Sequence, residues 1–307
     1  MRIAVTGTSG QVAQALAARA GAFGGEVVLI GRPDFDLAVP DNAAAMFTAA
    51  KPDVIVSAAA YTAVDKAESE PELAYRINAE GAGAVARAAA SLGVPLIHLS
   101  TDYVFDGSKS GDWTEGDATG PLGIYGATKL AGEQAVLSAT ADAAILRVAW
   151  VYAPFGSNFV RTMLRLGETR DALGIVADQI GRPTSALDIA DAIWRMAARL
   201  TANPDDASLR GIFHMPAGGP AASWADFAQA IFAAAARRGK KSPHVERIAT
   251  SAYPTPAHRP ANSLLNGSKI AHAHGITLPD WRLSLETVMD QLIGTSDSAP
   301  RQEDMKR

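Results

Sequence analysis

The sequence predicts an α/β protein built on a doubly wound parallel sheet, with a smaller interleaved α/β region that binds substrate. First, short apolar segments alternate with longer segments of helical periodicity, at residues 3–6, 26–30, 54–56, 95–99 and 144–148. Such alternation is typical of right-handed β–α–β crossovers. Second, a glycine-rich turn follows the first segment, and third, small or polar residues follow most of the others. These positions form the carboxyl edge of a parallel sheet, where ligands bind.

Composition excludes several classes of protein. The chain of 307 residues has a formal net charge of -4 and contains no cysteine. So small a net negative charge gives no bulk electrostatic attraction to nucleic acid or to an anionic membrane. A chain without cysteine forms no disulfides and no thiolate metal sites. No apolar run approaches the roughly 18 residues of a membrane-spanning helix. We therefore expect a cytoplasmic protein with no nucleic-acid or membrane partner and no metal site.

The turn after the first strand predicts a site for the diphosphate of a nucleotide. It reads G-x-x-G-x-x-A, with Gly7, Gly10 and Ala13 at the small positions. Gly7 permits the tight turn and Gly10 lets the backbone approach the phosphates, whose negative charge the helix N-terminus stabilises. A strand, a glycine turn and a helix in succession form the first unit of a Rossmann nucleotide-binding fold.

The ends of the second and third strands predict the rest of the cofactor site. Arg32 follows the second strand, where an NAD-selective site usually has a carboxylate, so it is a candidate ligand of the 2'-phosphate of NADP. The alternative is a solvated arginine in a loop. Asp36 is a candidate partner of the adenine amino group. The residues that end the third strand are small enough for a cofactor to lie against the backbone, at Ala58, Ala59 and Ala60.

Three residues predict the chemistry. Tyr125 and Lys129 are four residues apart in a helical segment, so their side chains lie on one face. A neighbouring ammonium lowers the pKa of a phenol, which is otherwise about 10. Thr101 closes the fourth strand, where its hydroxyl can hold a carbonyl oxygen. Together these groups can deliver a proton, from Tyr125, to a ketone that a reduced nicotinamide reduces, while Lys129 also bonds the nicotinamide ribose.

Four further residues are candidates for contact with the substrate, each with a structural alternative. Asp102 binds a sugar hydroxyl or caps the next turn. Trp150 stacks on a sugar or base, or belongs to the core at a domain seam. Asn158 reaches the substrate or is the N-cap of the helix that follows it. Arg259 clamps a diphosphate or is an ordinary surface arginine.

The second half of the chain predicts a region that covers the substrate. Helical patterns occur at residues 71–92, 159–166, 185–200, 224–238 and 283–292, and a strand at 211–215. We expect residues 1–151 to form the NADP-binding Rossmann domain, which also takes parts of 171–214. Residues 152–170 and 215–294 then form the substrate-binding region. The polar residues 295–307 are expected to be a flexible tail.

At these residues the chain closely resembles the dTDP-4-dehydrorhamnose reductases, in the extended short-chain dehydrogenase/reductase superfamily. The AVDKAESE and YPTPAHRPANS stretches are the narrowest part of the resemblance, whereas the glycine turn, STDYVF and YGATK mark the superfamily in general. The matching segments span nearly the whole chain: residues 6–12, 58–70 (AAAYTAVDKAESE), 99–106 (LSTDYVFD), 125–133 (YGATKLAGE), 150–152, 177–184 and 253–263 (YPTPAHRPANS).

The resemblance implies reduction of the 4-keto group of dTDP-4-dehydro-L-rhamnose to dTDP-L-rhamnose, for surface polysaccharide synthesis. It implies a catalytic role for Thr101, Tyr125 and Lys129, and contact with the sugar nucleotide for Thr101, Asp102 and Trp150. It implies contact with the cofactor for Gly10, Gln11, Val12, Asp36, Leu37, Ala60, Tyr61 and Thr62. Ser9, in the glycine turn, is a further candidate for contact with the cofactor.

Two departures from the family pattern change what we expect. The family is described as using Mg2+ held by acidic residues at a subunit contact, but residues 14–17 of the first helix (QALA) carry no carboxylate. We therefore expect no Mg2+-bridged dimer, and a monomer or weak homodimer instead. Arg32 in place of an acidic residue favours NADPH, with NADH as an alternative.

Two alternative functions stay open. One is another nucleotide-sugar 4-ketoreductase or epimerase of the same superfamily. The other is a non-catalytic NADP-binding regulatory subunit, which would have little need of the complete Thr101, Tyr125 and Lys129 set.

Overall fold

The computed structural model describes residues 1–295, so the predicted flexible tail lies outside it except for residue 295. Within this range the strands follow the sequence prediction closely, and several short strands add to them. In chain order they are β1 (Arg2–Thr6), β2 (Glu26–Ile30), β3 (Val54–Ser57), β4 (Leu96–Thr101), β5 (Ala143–Val148), β6 (Val151–Tyr152), β7 (Ala172–Val176), β8 (Ile180–Gly181), β9 (Thr184–Ser185), β10 (Gly211–His214), β11 (Ala222–Ser223) and β12 (His244–Ile248).

Six of these strands form a parallel sheet in the order β10-β5-β4-β3-β1-β2. The strand order reverses beside β1, as in doubly wound folds. The residues of β3, β4 and β5 are buried throughout, because helices cover both faces of the sheet. The predicted fold class is confirmed.

The predicted helices are close to the observed ones, except in one place, and further helices that were not predicted occur at residues 43–50, 64–67 and 268–274. The segment predicted as one helix over residues 71–92 is interrupted by a π-helical turn at Arg76–Gly81. This wider turn places Asn78 in the interior and brings Gly81 against the carbonyl of Leu37, where a Cβ atom would lie 2.6 Å from the oxygen. The helices are α1 (Gln11–Arg19), α2 (Ala43–Ala50), α3 (Val64–Ala67), α4 (Pro71–Tyr75), α5 (Ala82–Leu92), α6 (Ile124–Ala139), α7 (Phe159–Thr169), α8 (Ala186–Ala202), α9 (Trp224–Ala236), α10 (Ser268–His274) and α11 (Trp281–Ile293).

Serine side chains fix the starts of two helices. The Ser185 hydroxyl accepts a hydrogen bond from the backbone of Leu187, so Ser185 is the N-cap of α8. At the start of α9, Ser223 and Asp226 bond each other's backbone N–H groups in a capping box.

Each face of the sheet has its own core. Alternate residues of a strand point to opposite faces, so Ala4 joins a core with α2 and α5, while Ile3 and Val5 join a larger one on the other side. The larger core continues from the sheet through α1 and α8 to Phe227 and Trp281 in α9 and α11. The division of the chain into residues 1–151 and an interleaved substrate region stays a prediction.

The short strands form three two-stranded pairs beside the main sheet: β6 with β9, β7 with β12, and β8 with β11. Over residues 1–295, no helix combines the length and the apolar character needed to cross a bilayer.

We expect Gly132→Ala to destabilise the protein, because α6 passes very close to the π-helical turn. A Cβ atom at Gly132 would lie 2.1 Å from the carbonyl oxygen of Asn78, so the two backbones must separate. Overpacking of this kind costs about 1–3 kcal/mol, which chemical denaturation measures as a lower free energy of unfolding. Gly21→Ala is the control, since a Cβ atom there has no neighbour within 4 Å. Equal stabilities of the two variants would contradict the close packing of α6.

Candidate active site

The carboxyl edge of the sheet brings the predicted site residues together. The ends of β1, β3 and β4 are neighbours in the sheet, and α6 begins beside the end of β4. The hydroxyl of Thr6 joins the first two of these ends, because it accepts hydrogen bonds of 2.9 Å from the backbone N–H groups of both Ala58 and Ala59. The glycine turn and the alanine loop are thus held against each other.

The glycine turn has the form that a bound diphosphate requires. Gly7 has a φ of +94°, and a Cβ atom there would lie 3.2 Å from the Cβ of Ala59. Gly10 precedes α1, and the space beside its Cα is open. The side chain of Val12 is packed in the core, so only its backbone can face a ligand. Gln11 has a buried Oε1 with no hydrogen-bond partner in residues 1–295. These features fit the phosphates of a dinucleotide at a helix N-terminus.

Asn78 fixes the loop that carries Ala60, Tyr61 and Thr62. Its side chain accepts a hydrogen bond of 2.7 Å from the Tyr61 N–H and donates to the Tyr61 carbonyl (3.2 Å) and to the Thr128 hydroxyl (3.0 Å) on α6. The sequence analysis missed Asn78, although a single amide in an alanine-rich helix is a visible signal. The amide couples the predicted cofactor loop to the helix that bears Tyr125.

The predicted adenosine side of the site lies beyond β2. Arg32 is exposed there, and Asp36 accepts a 2.9 Å hydrogen bond from the Ala38 N–H while Leu37 is buried. Ser9 is exposed in the glycine turn. The contacts that these residues make with a cofactor stay predictions.

Thr101 and Tyr125 meet at the end of β4. Burial raises the pKa of Tyr125 to about 12, a hydrogen bond with the Thr101 hydroxyl acts against this, and the charge of Asp102 acts with it. The ring of Tyr125 packs edge-on against Tyr103, with 5.3 Å between centroids. The phenol is therefore protonated at neutral pH and can donate a proton. The predicted lowering of the Tyr125 pKa by Lys129 does not appear here, because burial is the largest influence and the hydrogen bond with Thr101 is what opposes it.

Lys129 lies on the inner side of α6, facing β4. Its Nζ donates a hydrogen bond of 2.7 Å to the Leu99 carbonyl and lies 3.3 Å from the Nε2 of His98. Burial lowers the pKa of Lys129 to about 8, against the raising effect of the Glu133 carboxylate. The lysine thus remains largely cationic at neutral pH although it is 97% buried.

A buried ion pair lies one helical turn beyond Lys129. Glu133 accepts two hydrogen bonds from the Arg147 guanidinium, of 2.8 and 2.7 Å, and a third of 2.5 Å from the Ser100 hydroxyl. The guanidinium also lies over the ring of Phe105, 5.0 Å from its centroid. The pair locks α6 to β4 and β5, and because each charge has a partner, its burial is sustainable.

The carboxyl group of Asp102 lies beside the Thr101 hydroxyl. Its Oδ1 accepts a 3.0 Å hydrogen bond from Thr101, whereas its buried Oδ2 has no partner within the part of the chain that the structure describes. Burial raises the pKa of Asp102 to about 6, and hydrogen bonds from Ser263 and Thr101 oppose the shift. Contact of Asp102 with a sugar hydroxyl stays a prediction.

Trp150 packs against a distant element of the fold, as its structural alternative, a core position at a domain seam, predicts. Its φ is +51°, uncommon for a bulky residue, and its ring stacks on Trp224 with 3.7 Å between centroids. The ring also lies against Gly181, where a Cβ atom would lie 2.7 Å from the indole. The ring remains partly exposed, so stacking on a sugar stays a prediction.

Asn158 and Arg259 both make contacts within the protein. The Asn158 side chain accepts a 3.1 Å hydrogen bond from the Arg161 N–H and is the N-cap of α7, the alternative to substrate contact. Arg259 donates a 2.7 Å hydrogen bond to Asp65 and also meets Tyr103, so it is not an ordinary surface arginine. Its Nη1 is buried and has no partner in residues 1–295. Contact of either residue with substrate stays a prediction.

The fold and the site together define a class: oxidoreductases that bind a nicotinamide nucleotide at the carboxyl edge of a Rossmann sheet. Among residues 1–295, no three His, Cys, Asp or Glu side chains lie close enough together to hold a metal ion. The chain belongs to the dTDP-4-dehydrorhamnose reductase family, since the family model described as "RmlD substrate binding domain" matches residues 1–293 and near-full-length relatives carry the reductase name. The resemblance of the motifs to this family is confirmed.

Three relatives illustrate the similarity. The chain is 50% identical to a dTDP-4-dehydrorhamnose reductase of Sinorhizobium fredii over 95% of this chain and 98% of the relative. A crystal structure of such a reductase from Clostridium acetobutylicum is 36% identical, with a TM-score of 0.85 over 95% of this chain and 99% of that one. The Bacillus anthracis reductase, solved in complex with NADP, is 33% identical, with a TM-score of 0.85 over 94% and 98%.

We expect Asp102→Asn to remove a pH-dependent destabilisation of the folded state. The pKa of Asp102 is about 6 in the folded chain and near 3.8 when unfolded, so the folded state binds the proton more tightly. The stability that Asp102 contributes is therefore lost as pH rises from about 4 to 6. Urea unfolding at several pH values should show the variant gaining about 3 kcal/mol on the wild type across this window.

The comparison with Asp117→Asn controls for general acid effects. The hydrogen bond from Lys109 holds the pKa of Asp117 at about 2, so its contribution grows as pH rises and the difference curve has the opposite sign. Parallel stability curves for wild type and Asp102→Asn would show that the carboxyl of Asp102 is not desolvated.

Proposed function

We propose that this protein reduces the 4-keto group of dTDP-4-dehydro-L-rhamnose with NADPH to give dTDP-L-rhamnose, a step of dTDP-rhamnose and surface polysaccharide synthesis. The observation that carries the proposal is the 50% identity to a dTDP-4-dehydrorhamnose reductase over nearly the full length of both chains. The meeting of Thr101 and Tyr125 at the end of β4 supports it independently, because it provides the proton that reduction of a ketone needs.

The proposed proton donor is Tyr125. Burial keeps the phenol protonated until the substrate oxygen becomes an alkoxide, a far stronger base than the phenolate. Thr101 holds the same oxygen and so aligns it with the phenol. When bound, NADPH supplies the hydride for the carbonyl carbon. As the proton leaves Tyr125, the positive charge of Lys129 stabilises the phenolate that remains.

The substrate is proposed to lie in the cleft between the sheet edge and the C-terminal region. The free Oδ2 of Asp102 accepts a sugar hydroxyl, and Trp150 covers a face of the sugar. Asn158 and Arg259 line the same cleft, with the unpartnered Nη1 of Arg259 available to an anionic oxygen of the nucleotide. For Asp102 and Arg259, substrate binding is supported by a buried side-chain atom without a partner among residues 1–295.

The cofactor is proposed to lie across the glycine turn and the alanine loop. Its diphosphate sits at the start of α1, its ribose contacts Lys129 and Tyr125, and Arg32 meets the 2'-phosphate. The open space at Gly10 and the unpartnered Oε1 of Gln11 support this placement. The full set of proposed contacts is Gly7, Ser9, Gly10, Gln11, Val12, Arg32, Asp36, Leu37, Ala58, Ala59, Ala60, Tyr61, Thr62, Tyr125 and Lys129.

The biological setting is proposed from the same features. The nucleotide-sugar substrate and NADPH support a cytoplasmic setting. The absence of carboxylates at residues 14–17 supports a monomer or weak homodimer without bridging Mg2+. Residues 1–151 are proposed to bind the cofactor, and residues 152–170 and 215–294 the substrate.

We expect Tyr125→Phe to retain NADPH binding but to lose about 10²–10⁴-fold in kcat for ketone reduction, because the ring remains and the proton donor is removed. NADPH oxidation with dTDP-4-dehydro-L-rhamnose, product analysis by NMR and a cofactor fluorescence titration measure the two properties separately. Tyr75→Phe, at an exposed tyrosine of α4, is the matched control. Undiminished turnover by Tyr125→Phe would remove this residue from its role, and a product reduced elsewhere would point to a related nucleotide-sugar enzyme.

We expect Arg32→Asp to weaken NADPH binding by about 10–100-fold and NADH binding much less, because only NADPH carries the 2'-phosphate and hydrogen bonds to charged groups are strong. Dissociation constants for both cofactors measure this. Arg170→Asp, which changes an exposed arginine at the end of α7, controls for the change in net charge. The same loss for both cofactors would mean that Arg32 does not meet the phosphate.

A further inference from the structure

We propose that His98 is a positioning residue for Lys129: its neutral imidazole accepts a hydrogen bond from the lysine ammonium and so keeps that group charged. The effect on ketone reduction rests on the proposed function, whereas the pairing of His98 with Lys129 does not. The sequence analysis gave His98 no role.

The geometry fixes the lysine amine from the sheet side. His98 lies on β4, is 1% exposed, and places its Nε2 3.3 Å from the Lys129 Nζ. The adjacent Leu99 carbonyl accepts a second hydrogen bond, of 2.7 Å, from the same nitrogen. An ammonium has three N–H donors, so two on the β4 side leave one for a partner in the cleft. The two hydrogen bonds to β4 thereby fix the direction of the third N–H of the Lys129 ammonium.

The protonation state of His98 makes its Nε2 an acceptor. Burial, and after it the positive charge of Lys129, hold the pKa of His98 well below its usual value. A neutral imidazole that accepts at Nε2 carries its proton on Nδ1, and this Nδ1 is buried without a partner in the described chain. An orphaned N–H is costly, and an apolar ring would avoid the cost. The contact with the ammonium is what a histidine provides here and an apolar ring does not.

The other charges around Lys129 leave a clear role for this acceptor. Glu133 acts on the amine from α6 itself, and His98 faces it from β4. Glu133 favours the ammonium, but its charge is shared with Arg147 from β5, which binds it through two hydrogen bonds. Asp102 and Tyr103, at the end of β4, surround the phenol of Tyr125. Without the His98 acceptor, burial would remove the proton from Lys129 at a lower pH.

The test measures the titration of Lys129 directly. Protein containing lysine labelled with carbon-13 at Cε is titrated by NMR, and Lys129→Met assigns the signal. We expect His98→Phe to lower the midpoint of Lys129 by about one pH unit, and to move the alkaline limb of kcat/KM for ketone reduction by the same amount, a loss of about tenfold above the wild-type midpoint. His98→Gln, whose amide can accept at the position of Nε2, should restore both.

Two comparisons make the outcome decisive. His274→Phe is the matched control, because His274 is equally buried, has its Nε2 3.2 Å from the Leu209 carbonyl and also has an unpartnered Nδ1, but lies on α10. It should leave the Lys129 midpoint unchanged. An unchanged midpoint in His98→Phe would overturn the proposal. If His98→Phe does not fold, His98→Gln is compared with the shorter His98→Asn, and equal midpoints overturn it.

The two proposals fail separately. A protein that reduces no keto sugar, yet whose Lys129 midpoint falls in His98→Phe, would contradict the proposed function and retain the inference about His98. If the protein is an active reductase but His98→Phe changes neither the Lys129 titration midpoint nor the alkaline limb of kcat/KM, the proposed function is retained and the inference about His98 is contradicted.

Discussion

The close approach of α6 to the end of β4 is the constraint on which the site depends. Glycines make it possible: a Cβ atom at Gly126 would lie 2.2 Å from the Tyr103 carbonyl oxygen, and one at Gly132 would meet the Asn78 carbonyl oxygen in the same way. Because the helix backbone touches both the segment after β4 and the π-helical turn, Lys129 between the two glycines is held against β4. Tyr125 and Lys129 therefore reach Thr101 and His98 without any mobile linker between them.

Close packing also excludes water, and this sets the electrostatics. Desolvation raises the pKa of Tyr125 and lowers that of Lys129, so both groups are displaced toward neutrality and away from the charged forms. The Glu133 carboxylate, which is paired with Arg147 in the same helix–sheet interface, opposes the shift at Lys129. The site thus combines a protonated phenol with a cation whose charge depends on a few neighbouring groups, which is the kind of tuning that acid–base catalysis needs.

Local sequence determined what could be predicted. The strands of the main sheet follow from short apolar runs, and the contact of Thr101 with Tyr125 follows from a strand end and a helix start on one edge of a parallel sheet. Other features arise from packing between segments that are distant in the chain, so the spacing of residues in the sequence does not predict them. They are the π-helical turn that points Asn78 inward, the left-handed backbone of Trp150 and the direction of the Lys129 amine. The position of Glu133 on the same helix face could have been predicted from the sequence, since Glu133 follows Lys129 by four residues, as Lys129 follows Tyr125.

The larger core has a consequence for how such a chain can diversify. The same apolar cluster contains Ile3 at the start of the chain and Trp281 near its end, and β6 and β9 join residues on either side of the seam. The segment that contains α9 and α11 is therefore not a unit that could be excised or transplanted, because Phe227 and Trp281 share one continuous core with the sheet. New sugar preferences must arise instead by exchange of side chains along the cleft, on a scaffold inherited whole.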